Sequence, residues 1–142
     1  MEERLKRSAP EIIELLRALC ALRDLRLDRE LFTVEFDATL VGADPLSIVV
    51  LEHKSTTSEK SLDQSVRKVQ SFAWSLQANN KLALINFILL VPQALSPRAL
   101  GSVETGLSGT ARVFVIAETM SMKEVERRLS LLAAPPLWRR AM

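Results

Sequence analysis

The run from Leu82 to Val91 constrains the fold more than any other stretch of this chain. It is an apolar run of strand length, interrupted only by Asn86 and ended by Pro92. It lacks the period-two alternation of a strand with one face in water, so it reads as a central strand covered on both faces. Helices must supply the two cover layers, which places the chain among α/β folds. With 142 residues, 48% apolar and 25% charged, residues 1–142 fit a single globular domain with its own core.

The remaining elements are set around that strand. A first helix is expected from Pro10 to Arg23. Ser8 serves as its N-cap, Glu11 completes a capping box, and Ile12, Leu15, Leu16, Leu19 and Cys20 recur at helical spacing. Leu25 to Asp28 is a short edge strand or a loop. Leu31 to Val41 alternates, with Phe32, Val34, Phe36, Ala38 and Leu40 on one side and Thr33, Glu35, Asp37 and Thr39 on the other. Gly42-Ala43-Asp44-Pro45 is turn chemistry, and Ile48 to Lys54 is a second buried strand. Ser61 and Gln64 make a capping-box match that predicts a helix from about Leu62 to Gln77. A third helix is expected from Ser96 to Leu107, then a strand from Ala111 to Ala117. A last helix is capped by Thr119 or Ser121 and followed by a tail ending at Trp138-Arg139-Arg140-Ala141-Met142. The expected architecture is a mixed central sheet flanked by helices on both faces. Its core spans about 10–117, with a C-terminal helix and tail over 119–142.

Chemistry concentrates in Leu51-Glu52-His53-Lys54, at the end of the second buried strand. Glu52 and Lys54 share one face and His53 takes the other. A turn centred between Asp44 and Pro45 makes Val41 face Ile48, Thr39 face Val50, Asp37 face Glu52 and Glu35 face Lys54. Glu35 opposite Lys54 is a plain cross-strand ion pair. Asp37 opposite Glu52 sets two like charges against each other, which destabilises a sheet unless they share a proton or hold a cation. Mg²⁺ or Mn²⁺ suits such oxygen donors, with the Leu51 carbonyl beside them. Lys54 then activates a water or neutralises charge at phosphorus.

These residues carry a resemblance. Phe36-Asp37-Ala38-Thr39-Leu40-Val41 followed by Ile48-Val49-Val50-Leu51-Glu52-His53-Lys54 resembles the PD-(D/E)xK nuclease superfamily, whose signature is an acidic residue on one strand and (D/E)xK on the next. The resemblance implies a restriction-endonuclease-like core. It also implies Asp37, Glu52 and the Leu51 carbonyl as metal ligands, and Lys54 as the catalytic lysine. Some members carry a glutamine on the following helix, where Gln64 and Gln70 are the candidates. An acidic residue on the first helix, Glu14 or Glu11, completes the metal site in others. The implied function is metal-dependent hydrolysis of phosphodiester bonds in nucleic acid, with DNA the expected substrate. Apart from the resemblance, Lys60, Arg67 and Lys68 are either phosphate contacts or, the commoner case, a solvated helix face. Trp74 either stacks on a base or, more commonly for an aromatic beside a helix stripe, joins the core. The alternative is a non-catalytic binding or dimerisation module on the same fold, acting with a partner protein.

Composition narrows the rest. A net charge of +2 permits nucleic-acid binding without demanding it. A single cysteine, Cys20, excludes an intramolecular disulfide and a thiolate metal site and is expected as a buried, inert thiol. A single histidine excludes a His-rich centre, and no P-loop or GxGxxG is present. No apolar run is long enough for a membrane span and no signal peptide is recognisable, so a cytoplasmic protein is expected. A mean hydropathy of +0.13 is high for a small domain and suggests covered apolar surface, with a homodimer through the last helix and the Trp138 tail as one form of it.

Overall fold

The structure is a computed structural model of the chain, and it describes residues 7–26, 30, 32–42, 47–81 and 83–133. In chain order the elements are α1 (Ala9–Cys20), β1 (Arg23–Asp24), β2 (Ala38–Val41), β3 (Ser47–His53), α2 (Glu59–Ala78), β4 (Leu84–Val91), α3 (Pro97–Gly106), β5 (Ala111–Ala117) and α4 (Met122–Ser130), closed by a 3-10 turn at Leu131–Ala133. The five strands form one sheet in the order β1-β2-β3-β4-β5. β1, β2 and β3 are an antiparallel meander, while β3, β4 and β5 run parallel. This is the expected mixed α/β architecture. No helix of the described residues is long and apolar enough to cross a membrane.

Two apolar layers sandwich the sheet. On one face Ile48, Val50, Ile85, Phe87, Leu89 and Val91 pack under α2 and α3, against Leu62, Val66, Val69, Phe72 and Val103. On the other, Val49, Leu51, Ile88, Leu90 and Ile116 meet Ile12 and Leu16 of α1 and Val125 and Leu129 of α4. Consecutive residues of β3 and β4 alternate between the layers, so both strands are apolar on both sides.

The helix ends follow cap chemistry. Ser8 and Glu11 form the expected capping box, but α1 stops at Cys20 because Ala21 takes a left-handed conformation at φ 52, which turns the chain into β1. Cys20 is half-buried, donates to the Leu129 carbonyl at 3.4 Å, and burial pushes its thiol up. The box expected at Ser61 does not form. Ser58 caps α2 and accepts from the Ser61 N–H, so the helix starts a turn earlier. Ser96 and Ser121 cap α3 and α4.

The expected strand over Leu31–Val41 is largely absent, and β2 covers only Ala38–Val41. Phe32 and Phe36 join the α2 layer, where each rests on Phe72 at centroid distances of 5.9 and 5.4 Å, whereas Ala38 and Leu40 join the α1–α4 layer. A straight strand would put all four even-numbered side chains on one face. The chain bends at Asp37 instead, and aromatic contacts worth about 0.5–1.5 kcal/mol each take the place of ladder pairing. The expected Glu35–Lys54 ion pair is accordingly missing among the described residues, since the strand ends before Glu35 reaches it. The Trp138 tail lies outside the described residues.

Candidate functional site at the carboxyl end of β3

The β2–β3 hairpin has the register anticipated from its turn: Val41 pairs with Ile48, Thr39 with Val50 and Ala38 with Leu51. One step beyond the last pair come Asp37 and Glu52. The ladder slips here, since the Asp37 N–H donates to the Leu51 carbonyl at 3.0 Å. The Asp37 carboxylate then turns along the sheet edge and accepts from the His53 N–H through Oδ2 at 2.6 Å. Asp37 is exposed, and among the described residues this is the only group bonded to its carboxylate.

Glu52 is 8% exposed, on the α2 face beside Ile48 and Val50. A carboxylate at that depth needs a counter-charge. Lys68, on the flank of α2 that faces the hairpin, donates to both Glu52 oxygens at 2.9 and 3.0 Å. Its ammonium also lies 5.2 Å from the Phe36 ring centroid, within cation–π range. The two like charges therefore have separate partners, and a counter-ion from the protein stands where sequence reasoning left only a proton or a metal. Lys68 thus points inward, not outward with Lys60 and Arg67 as a phosphate contact would. The signal for its role is its position one turn before buried Phe72, at the edge of the apolar stripe.

Other candidates distribute around this point. Lys54 follows β3, donates its N–H to the Leu90 carbonyl at 2.9 Å, and makes no ion pair among the described residues. His53 lies on the α1–α4 face, where Nε2 meets Oε1 of Glu118 at 2.5 Å, just past β5. Gln64 is exposed on α2, and Gln70 donates to the Gly106 carbonyl of α3 at 2.7 Å. Lys60 and Arg67 are exposed on α2. The α1 acids stay apart: Glu14 binds Arg17 at 3.1 Å and Glu11 binds Arg7 at 2.8 Å, on the helix covering the sheet face opposite Glu52.

Among the described residues, no group of three or more His, Cys, Asp or Glu side chains is arranged to hold a metal ion. What stands at the end of β3 is smaller: the Glu52–Lys68 ion pair, the Asp37 carboxylate on the neighbouring His53 N–H, and Lys54 next in the chain. It lies at the carboxyl ends of the parallel strands, the edge at which open α/β sheets bind ligands. No family model, curated protein or solved structure matches the chain.

Proposed function

We propose that the chain is a divalent-metal-dependent nuclease of the restriction-endonuclease-like fold, hydrolysing phosphodiester bonds of DNA. The observation that carries this reading is the hairpin register. Past its last pair, Ala38 with Leu51, Asp37 bonds the Leu51 carbonyl and the His53 N–H on either side of Glu52, with Lys54 two residues on and Lys68 on Glu52. An acidic residue on one strand, (D/E)xK on its antiparallel neighbour and a helix leading to a parallel strand form the pattern to which the sequence bears its resemblance.

The donor set suits the ion. Mg²⁺ and Mn²⁺ take hard oxygen ligands and are often held by one or two carboxylates, with waters and phosphates completing the shell. Asp37 and Glu52 would hold it, and at Glu52 it competes with the Lys68 ammonium. Such an ion supplies a Lewis acid for a phosphate oxygen and a more acidic bound water. Lys54 and Lys68 supply positive charge to a pentavalent phosphorus centre.

The ion pair between Lys68 and Glu52 favours a second reading, a non-catalytic module on the same fold, because it neutralises Glu52 without any metal. One experiment decides between them. Parent and Glu52→Gln proteins are assayed for cleavage of single-stranded and duplex DNA with Mg²⁺ or Mn²⁺, alongside calorimetric titration with Mn²⁺. The nuclease reading expects cleavage and ion binding by the parent, both lost in the variant. Equal cleavage by the two proteins overturns the assignment, and no ion binding by the parent at millimolar Mn²⁺ favours the module.

A further inference from the structure

The outer face of α2 carries a second pattern. Lys60, Gln64, Arg67, Ser71 and Trp74 follow one another at spacings of four, three, four and three, so they form one line along the helix. All five are exposed, and the buried residues Leu62, Val66, Val69, Phe72 and Leu76 occupy the opposite side. Trp74 is 69% exposed, an unusual state for the largest apolar side chain. Lys60 and Arg67 make no ion pair or hydrogen bond among the described residues. Off the line, Lys68 is engaged with Glu52 on one flank and Gln70 with the Gly106 carbonyl on the other.

We propose that this ridge binds single-stranded nucleic acid, with Lys60 and Arg67 on phosphates and the Trp74 indole stacked on an unpaired base. This deepens the nuclease reading and rests on it for the use made of the bound strand. Three observations choose the occupant. The ridge is cationic and hydrogen-bonding, with Gln64 between the two charges and Ser71 between Arg67 and the indole, and a single aromatic is its only large apolar group. A protein-binding face would instead surround the indole with apolar side chains. A duplex hides its base faces within the stack, so an exposed indole finds a flat partner only on an unpaired base. A helix entering a major groove must stand clear of its neighbours, whereas α2 is tied along one flank to α3 through Gln70.

The flanks give the strand a direction. A cavity of about 270 Å³ between α2 and α3 is lined by Glu59 and Asp63 together with Arg98, and those carboxylates repel a phosphate backbone from that side. On the other flank Lys68 neutralises Glu52, so the favourable path leads from the ridge toward Asp37, Glu52 and Lys54. Lys60 and Trp74 are fourteen positions apart, about 21 Å along the axis, a span of several nucleotides.

The test measures fluorescence anisotropy of labelled oligothymidylate and of a mixed-sequence duplex of equal length, in EDTA so that no metal-dependent cleavage intervenes. The parent is expected to bind the single strand at least about tenfold more tightly than the duplex. Trp74→Ala is expected to lose about tenfold on the single strand, and Trp74→Phe to recover most of that. Lys60→Ala and Arg67→Ala are each expected to lower the salt slope by about one. All four substitutions are on the surface, and unchanged thermal melts verify the fold. Equal binding of single strand by parent and Trp74→Ala overturns the proposal. So does equal affinity for the duplex, or a Trp74-dependent dimer in light scattering without oligonucleotide binding. Trp74-dependent binding without cleavage in Mg²⁺ removes the nuclease reading alone, and cleavage with Trp74-independent binding removes the ridge alone.

Discussion

The two ends of β3 carry polar clusters of different kinds. At its amino end Ser47 accepts from Asn86 Nδ2 at 3.0 Å, and Asn86 Oδ1 accepts from Arg112 Nε at 2.7 Å. Asn86 is fully buried in the central strand, and burial pulls the Arg112 guanidinium below its ordinary value while it lies against the Phe114 ring. This cluster has no carboxylate, and the buried amide meets both its partners across neighbouring strands. At the carboxyl end every contact involves a carboxylate: Asp37 on a backbone N–H, Glu52 on Lys68 and Glu118 on the His53 ring. A buried amide that already meets a serine and an arginine across the ladder leaves nothing for a ligand to replace. A carboxylate neutralised by a long lysine from another layer can exchange that lysine for a different cation.

The amino end gives the largest expected effect. Asn86→Ala orphans Ser47 Oγ and Arg112 Nε and opens a void in the central strand. Leaving buried polar groups unpaired costs about 1–3 kcal/mol each, so a loss of about 2–4 kcal/mol is expected in urea unfolding. Divalent-ion binding at the other end should be unchanged. A loss below about 0.5 kcal/mol would break the comparison, because the row would then not be a closed structural network.

At the carboxyl end, Lys68→Met leaves Glu52 buried without its counter-charge. Removing one partner of a fully buried pair costs about 3–5 kcal/mol. The Lys68 side chain keeps 31% of its exposure, so about 1–3 kcal/mol is expected here. Glu52→Gln in that background should restore most of the loss, since the uncompensated charge is then gone. Under the nuclease reading Lys68→Met also binds Mn²⁺ more tightly than the parent, because the competing ammonium is absent. Weaker Mn²⁺ binding would show that Lys68 helps assemble the site instead of occupying it.

The comparison also explains what could be read in advance. Apolar runs with no polar face located β3, β4 and β5 closely, since a strand covered on both sides leaves little freedom of placement. The turn residues expected at Gly42-Ala43-Asp44-Pro45, of which 43–46 lie outside the described residues, anticipate the pairing of Val41 with Ile48, whereas the slip at Asp37 has no signal in them. The stretch from Phe32 to Phe36 misled, because its alternation mimics a strand while its two aromatics answer to Phe72, across the layer in α2. Lys68 is only half legible for a related reason: its place at the edge of the stripe marks it, but not its partner. Which flank of a helix turns toward a hairpin depends on how the two layers are rotated against each other, and periodicity in one chain segment holds no record of that. His53 and Glu118 meet only because β3 and β5 end at the same edge, with β4 between them.

The smallest expected effect contrasts the buried pair with an exposed one. Glu124 on α4 accepts from Arg127 at 2.6 and 2.9 Å and from Arg128 at 3.1 Å. Hydrogen bonds from these two arginines pull its carboxyl from the usual 4.5 to about 2. The folded chain thus keeps Glu124 ionised at acidities where the unfolded chain protonates it. The stabilisation is complete above about pH 4.5 and fades as the pH falls toward 2. Thermal melts of parent and Glu124→Gln should therefore differ most near neutral pH and converge toward pH 2. Because the pair is exposed, its contribution should also shrink in molar salt, while the penalty of Lys68→Met, set inside the protein, should change less. A gap between parent and Glu124→Gln that persists at pH 2 would assign the effect to helix packing, through the bond of Arg128 to the Val115 carbonyl, and not to charge.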